Sequence, residues 1–287
     1  MLVDIYIQDS SEWMEKSKAG GLSDQKLSDF EEQSKGHRFE NAFNDFFDSI
    51  KYRGIDNNDP NEKNVLFVKH GRIITVDQLS TGEKQIVFRG AHLLRNSKSI
   101  ASGIVLIDEP ELSMHPIWQK KILDYYRGLF TSNGSQTVQM IVATHSEYVL
   151  QSALNDRDDV LVIVLTDDNG TVSSKKITDP NVLPTITAAE TNYLAFGVPS
   201  TDYHIALYAY LQTKTGKHSI GACDQYIAQQ PQYDDSKHEK IDNSYPGHNY
   251  QTLPAYIRNA IDHPDNPRPY TDEELRTSIE LLIKLCR

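Results

Sequence analysis

Three short apolar runs constrain this chain more than any other feature. Gly103–Ile107, Val138–Ala143 and Val160–Leu165 are each five or six residues long. That length suits a buried strand and is too short for an ordinary helix. Helical spacing fills the stretches around them, at Glu83–Leu94, Ile117–Leu129 and Val149–Leu154. Apolar strands alternating with helices predict an α/β fold with a largely parallel sheet covered on both faces. The strand ends are polar. The first run passes into Asp108 and Glu109, the second into Thr144 and His145, and the third into a turn at Asp167–Gly170 before Thr171–Ile177.

The flanking regions read differently. Met1–Gln8 alternates like a short strand. Leu22–Phe47 has helical spacing, and Phe30, Phe39, Phe43, Phe46 and Phe47 form an aromatic face that suits core packing. Gly54–Lys63 reads as a polar loop with Asn57, Asn58, Asp59 and Pro60. Val65–Val68 and Ile73–Val76 read as a hairpin turning at His70–Gly71. Beyond residue 190 the β-branched runs cease. Tyr203–Leu211, Ile220–Ala228, Pro254–Asp262 and Thr271–Leu285 read as helices, and the polar stretch Gln229–Asn249 as a long loop. Thr271 and Glu274 have capping-box spacing, and Asp272 and Glu273 suit the positive end of the helix dipole. Leu275, Ile279, Leu282 and Ile283 then share one face. This organisation predicts an α/β domain over residues 1–185 and a helical domain over residues 186–287, with no internal repeat.

Composition excludes several classes. With 29 basic and 40 acidic residues the net charge is −11, so contact with nucleic acid requires a local basic patch. The apolar runs fall far short of the ~20 residues of a membrane span. Two cysteines, Cys223 and Cys286, do not make a disulfide scaffold. Asp4 stands where a targeting peptide would be basic, and no apolar segment follows, so a cytoplasmic setting is expected. His204, His218, His238 and His248 lack ligand spacing, and Cys223 has no neighbouring cysteine, which argues against zinc. Asp167 and Asp168 follow a strand, but no Glu-Gly turn precedes them, which argues against a Toprim nuclease.

Chemistry concentrates in three segments. In order they are Leu79-Ser80-Thr81-Gly82-Glu83-Lys84-Gln85, Ile104-Val105-Leu106-Ile107-Asp108-Glu109-Pro110-Glu111 and Ala143-Thr144-His145-Ser146. A strand ending at Asp108 delivers that carboxylate to the sheet edge where open α/β folds bind ligands. There it could hold Mg²⁺ through water. Glu109 could orient and deprotonate an attacking water. His145, ending an adjacent strand, could contact a phosphate bound at the same edge. Ser80 and Gly82 open a helix, and a hydroxyl with bare N–H groups at a helix start makes an anion site. Glu111 and His115 carry weaker signals, and Glu111 reads either as a supporting carboxylate or as an exposed loop charge.

Together these segments resemble the C-terminal half of the nucleotide-binding domain of ATP-binding-cassette ATPases. The likeness is strongest to the soluble subgroup related to DNA-repair and phage-defence ATPases. In that subgroup the Walker B strand continues into a DEPE…HP segment, here Asp108–Pro116. The resemblance spans about residues 65–165, and more weakly Phe39–Phe47. It implies ATP and Mg²⁺ as cofactors, with Ser80, Thr81, Gly82 and Glu83 clasping ATP bound to an opposing subunit. It therefore implies a head-to-tail homo- or heterodimer through the ATPase face. A P-loop, Gly-x-x-x-x-Gly-Lys-[Ser/Thr], is missing. The only Gly-Lys pair, Gly216-Lys217, is followed by His218 and reads as a surface turn. The expectation is a P-loop supplied by another segment or chain, so that this chain is a fragment, a split product or a degenerate subunit that binds ATP poorly by itself.

A second motif lies near the C-terminus. Arg258-Asn259-Ala260-Ile261-Asp262-His263 resembles the ribonuclease motif of the HEPN superfamily of small helical domains. Pro254 suits the first turn of its helix, and Pro264 stops the helix at His263. The resemblance implies His263 as base for a ribose 2′-hydroxyl, Arg258 as phosphate-binding cation and Asn259 as orienter. The same residues also fit plain helix capping, and thus a structural or partner-binding role. Three functions follow: an ATPase completed by a P-loop, an ATP-gated ribonuclease effector, and a non-catalytic assembly subunit. RNA, DNA or a nuclease subunit are the corresponding partners.

Overall fold

The computed structural model describes residues 1–287 except 21–23, 59–61, 97–101, 133, 156–158, 179–180, 246–247 and 266–267. Leu22, Asp59 and Pro60, named above, lie outside the described residues. The chain divides into two compact units, Met1–Ala153 and Leu154–Arg287. The division falls upstream of residue 185, inside a helix.

The first unit opens with helices α1 (Leu2–Gly20), α2 (Asp24–Gln33) and α3 (Lys35–Phe46). Residues 2–8 are thus helical, not a strand. Over eight residues both periods fit, and the deciding contacts are tertiary: Leu2 and Ile5, three apart, are both buried. The Asp9 carboxylate of α1 accepts hydrogen bonds from the Lys35 and Gly36 amides at 3.4 and 2.8 Å, capping the start of α3. Burial raises its pKa against the lowering effect of those bonds. The expected aromatic stripe splits across helices. Phe39, Phe43, Phe46 and Phe47 enter the core, whereas Phe30 packs on Trp13, with ring centroids 5.3 Å apart.

A three-stranded antiparallel sheet follows: β1 (Ile50–Asp56), β2 (Asn64–Lys69) and β3 (Arg72–Thr75). The β1 strand takes in Gly54–Asp56, where a loop was expected. The β2–β3 hairpin turns at His70–Gly71, whose φ values of 50° and 76° are the two positive angles of a type I′ turn. Then come α4 (Thr81–Arg95), β4 (Ile104–Asp108), α5 (Pro116–Gln119), α6 (Ile122–Phe130), the short pair β5 (Thr131–Ser132) and β6 (Ser135–Gln136), β7 (Gln139–Ala143) and α7 (Glu147–Asn155). The helix expected at Ile117–Leu129 is broken at Lys120–Lys121. Phe39, Phe43, Ile86, Ile122, Tyr126 and Leu129 are buried in the core between α3, α4 and α6.

The β4 and β7 strands pair in parallel, with Ile104 opposite Gln139 and Asp108 opposite Ala143. Among the described residues this is the only parallel pair, so the fold is mixed α/β and not a wide parallel sheet. One face of the pair, with Val105 and Met140, packs on the core. The other is open: Ile104, Leu106 and Ile141 are 57%, 74% and 52% exposed.

The second unit contains the hairpin β8 (Val162–Asp168)–β9 (Thr171–Ile177), then helices α8 (Ala188–Phe196), α9 (Thr201–Thr215), α10 (Ile220–Ala228) and α11 (Asp235–His238), strands β10 (Glu239–Tyr245) and β11 (His248–Thr252), and helices α12 (Leu253–Asp262) and α13 (Asp272–Cys286). The apolar run at 160–165 therefore pairs antiparallel with its own sequel instead of extending the β4–β7 sheet. The stretch 229–249, expected as a loop, holds α11, β10 and part of β11. Long-range polar bonds hold this pair of strands: Asp242 of β10 pairs with buried Arg268 at 2.8 Å, and Asp224 accepts from the Gln251 and Thr252 amides at the end of β11. The α9, α12 and α13 helices enclose Tyr203, Leu207, Leu211, Ile257, Ile279 and Leu282. The α13 capping box at Thr271–Glu274 is formed.

Candidate functional site

The site is built where α4 begins and where β4 and β7 end. Ser80 is the N-cap of α4. Its Oγ accepts from the Glu83 amide at 3.4 Å, and Glu83 Oε2 accepts from the Ser80 amide at 2.8 Å. This reciprocal capping leaves the Thr81 and Gly82 amides as first-turn donors with no acceptor within the helix. Lys69, from the end of β2, donates to both Glu83 oxygens at 2.8 and 3.1 Å. Burial pushes the Glu83 carboxyl up, but the Lys69 and Ser80 bonds outweigh it and hold the pKa below the ordinary value. Glu83 is therefore an ionised structural cap at the amino end of the helix.

Gly82 is closely packed. A Cβ there would stand 3.0 Å from the Trp118 ring and 3.1 Å from the Ser113 carbonyl oxygen. The start of α4 thus lies directly against the segment that follows β4. Arg89, two turns further on, donates to the Pro110 carbonyl at 2.6 Å, tying the same helix to the residue after Glu109.

At the strand ends, Asp108 is the last residue of β4 and stands opposite Ala143, the last of β7. Glu109 donates its amide to the Ala143 carbonyl at 2.9 Å and adopts φ 42°. A left-handed conformation costs a non-glycine residue roughly 1–2 kcal/mol. Here the bond to Ala143 helps hold it, and the chain turns sharply off the strand. Asp108, Glu109 and His145 are all exposed. The parallel register brings Asp108–Glu109 and Thr144–His145 out at one edge.

Polar side chains knit this edge together, and Glu111, for which the sequence left a supporting or an exposed role open, takes the supporting one. Glu111 Oε1 accepts from Thr144 Oγ1 at 2.7 Å and from the His145 amide at 2.9 Å. Thr144 Oγ1 in turn accepts from the Ser146 amide at 3.0 Å. Ser146 Oγ caps α7 through the Tyr148 and Val149 amides and donates to Gln119 Oε1 at 2.5 Å, while Gln119 Nε2 donates to the Met114 carbonyl. His115 serves as the N-cap of α5, with Nδ1 accepting from the Ile117 amide. Lys69, Arg89 and Gln119 carried no motif signal, because their roles arise from contacts across 14 to 27 residues of chain.

Two carboxylates at this edge, Asp108 and Glu109, make no side-chain hydrogen bond or ion pair among the described residues. No cluster of three or more His, Cys, Asp or Glu there could cage a metal by itself. That donor set fits Mg²⁺, which keeps several waters and takes one or two carboxylates together with substrate phosphates.

The second motif is arranged otherwise. Arg258 Nη2 pairs with Asp262 at 2.6 Å, one helical turn along α12, and Nη1 reaches Asn259 Oδ1 at 3.4 Å. Asn259 is buried at 2% exposure. His263 is the C-cap, donating its amide to the Asn259 carbonyl at 3.0 Å. Gly216, of the isolated Gly-Lys pair, ends α9 with φ 68° and bonds back to Gln212 and Thr213, as a helix stop does.

Fold and strand ends define a class: a mixed α/β domain presenting acidic residues and a histidine at the carboxyl edge of parallel strands, where such sheets bind ligands. Residues 3–151 match the family described as "AAA domain, putative AbiEii toxin, Type IV TA system", and the chain belongs to that family. Among curated proteins it is 31% identical to the Retron Vc95 probable ATPase of Vibrio cholerae serotype O1 biovar El Tor over 31% of this chain. It is 38% identical to the Retron Ec83 probable ATPase of Escherichia coli over 28% of this chain. These matches cover 18% and 16% of the relatives' own lengths. A solved structure from "Structural biochemistry of ATP-driven dimerization and DNA stimulated activation of SMC ATPases" aligns with TM-score 0.39 and 17% identity, covering 50% of this chain and 83% of that one. No helix among the described residues is long and apolar enough to cross a membrane.

Proposed function

We propose that the first unit is the signature-and-Walker-B half of an ATP-hydrolysing domain, completed by a P-loop from another segment or chain. The single observation that carries this reading is the β4–β7 register. It delivers Asp108–Glu109 and His145 to one edge, while the family match covers the same residues. In this reading Glu109 orients the attacking water and accepts its proton as the water adds to the γ-phosphorus in line with the departing ADP oxygen. His145 contacts the γ-phosphate. Ser80, Thr81 and Gly82 offer a hydroxyl and helix-start amides to the triphosphate of an opposing subunit, with Glu83 fixing their geometry. Asp108 would hold Mg²⁺, which neutralises charge developing on the phosphates. In the second unit, the engagement of Arg258 by Asp262 and the burial of Asn259 support a structural role for the 258–263 segment.

The open face of β4–β7 supports the missing lobe. Parallel strands are covered on both faces in α/β folds, and an apolar face bearing Ile104, Leu106 and Ile141 calls for a cover. The test is Glu109→Gln in the assembly that includes the P-loop. Turnover is expected to fall by about 10²–10⁴-fold, the usual contribution of a general base, while ATP-dependent pairing persists. Phosphate release at the wild-type rate would remove Glu109 as the base.

A further inference from the structure

We infer that Glu111 is a positioning residue that sets His145 against the Asp108–Glu109 pair. The inference rests on the ATPase reading above and deepens it. Glu111 lies three residues past Asp108, on the segment leaving β4, yet its bonds go to the segment leaving β7. One carboxylate oxygen accepts both the Thr144 hydroxyl and the His145 amide, at 2.7 and 2.9 Å. Its other oxygen, Oε2, is buried and makes no hydrogen bond among the described residues. The side chain is thus spent on the neighbouring strand end and not on solvent.

The β-ladder cannot do this job. Its last rung joins Asp108 to Ala143, and the Glu109 amide adds one more bond to the Ala143 carbonyl. Beyond that point the two chains diverge, Glu109 into a left-handed turn and His145 toward α7. Glu111 and Thr144 bridge the divergence. The Thr144 hydroxyl extends the bridge to the Ser146 amide, and Ser146 with Gln119 ties it back to Met114 on the β4 side. This closed circuit fixes the backbone of His145 from both directions. Both bonds to the Glu111 carboxylate, from the Thr144 hydroxyl and the His145 amide, are charge-assisted. A side chain that must meet a phosphate within hydrogen-bond distance needs this kind of support, since a displacement of about 1 Å costs roughly 100-fold in rate.

Glu111→Ala removes the acceptor. Glu111→Gln keeps a carbonyl oxygen in the same place. Two readouts separate the inference from the reading beneath it. The first is amide hydrogen exchange at His145 in the full chain, which needs no catalysis. Glu111→Ala is expected to speed it by roughly tenfold or more, the loss of a hydrogen bond to a charged group, and Glu111→Gln to restore most of the protection. Unchanged exchange in Glu111→Ala overturns the inference, whatever the activity. The second is ATP hydrolysis by the P-loop-containing assembly. Glu111→Ala is expected to lower kcat by about 100-fold with KM for ATP within twofold of wild type, and Glu111→Gln to recover activity. Faster exchange with unaltered kcat, in an assembly that Glu109→Gln inactivates, also overturns it. If Glu109→Gln stays active, the catalytic reading falls, and exchange at His145 alone decides whether Glu111 positions that residue.

Discussion

Two buried contacts show how single atoms decide this structure. A Cβ on Gly90 would lie 1.9 Å from the Tyr125 hydroxyl oxygen, which donates to the Ile86 carbonyl at 2.8 Å. The glycine is the space that lets α6 bond to the backbone of α4. Gly90→Ala should therefore destabilise the chain by about 2–3 kcal/mol through overpacking and loss of that bond. In a Tyr125→Phe background the cost should shrink by about 1 kcal/mol or more, a coupling that urea denaturation of the four variants would measure. Additive effects would refute it. In the second unit, His204 is fully buried, with Nε2 2.9 Å from Ser278 Oγ, and burial lowers its pKa from 6.5 to about 3. The folded ring stays neutral while the unfolded one takes a proton below pH 6.5. The unfolded state thus binds more protons between pH 6.5 and 3, and stability falls as pH drops through that window. Comparing wild type with His204→Gln by denaturation at pH 7, 6 and 5 should show a difference growing by up to about 1.4 kcal/mol per pH unit. Parallel pH profiles would exclude His204 as the cause.

At the scale of elements, agreement and error have physical causes. Helices α4, α12 and α13 were legible because start signals coincide with apolar periodicity. Ser80–Glu83 and Thr271–Glu274 both form the capping boxes that their spacing predicts. The β2–β3 turn was legible because His70–Gly71 stands midway between two apolar runs. The α1 helix was misread, since eight alternating residues fit either period and only its packing and the Asp9 cap on α3 decide. The β10–β11 pair was missed because its sequence is polar. Its strands are held by buried polar bonds, Arg268 to Asp242 and Asp224 to residues 251 and 252, which periodicity cannot register. The strand at 160–165 and its turn at Asp167–Gly170 into Thr171–Ile177 were legible, but not that the strand stays out of the parallel sheet. An apolar run specifies burial, whereas the adjacent Asn169–Gly170 turn, with φ of 53° and 88°, folds it back on its own sequel.

For the whole molecule, the open β4–β7 face has a consequence that can be measured. Leu106 is 74% exposed within this chain, so Leu106→Asp should leave its folding midpoint within about 0.5 kcal/mol of wild type. If a P-loop lobe covers that face, the same substitution should weaken its association by roughly tenfold or more, since a buried unpaired carboxylate is costly. Pull-down or calorimetric titration with the P-loop segment would test this, and unchanged affinity would place the lobe elsewhere. The sequence alone determined the order of the three motif segments, the strand that ends in Asp108–Glu109 and the lack of a P-loop, because strand termini and caps are written in local residue types. Tertiary structure alone decided that Glu111 holds Thr144 and His145, that Lys69 neutralises Glu83, and that one sheet face is left open. Those facts depend on which distant segments meet, and a hydrogen bond between residues thirty apart leaves no period or spacing in the chain that makes it.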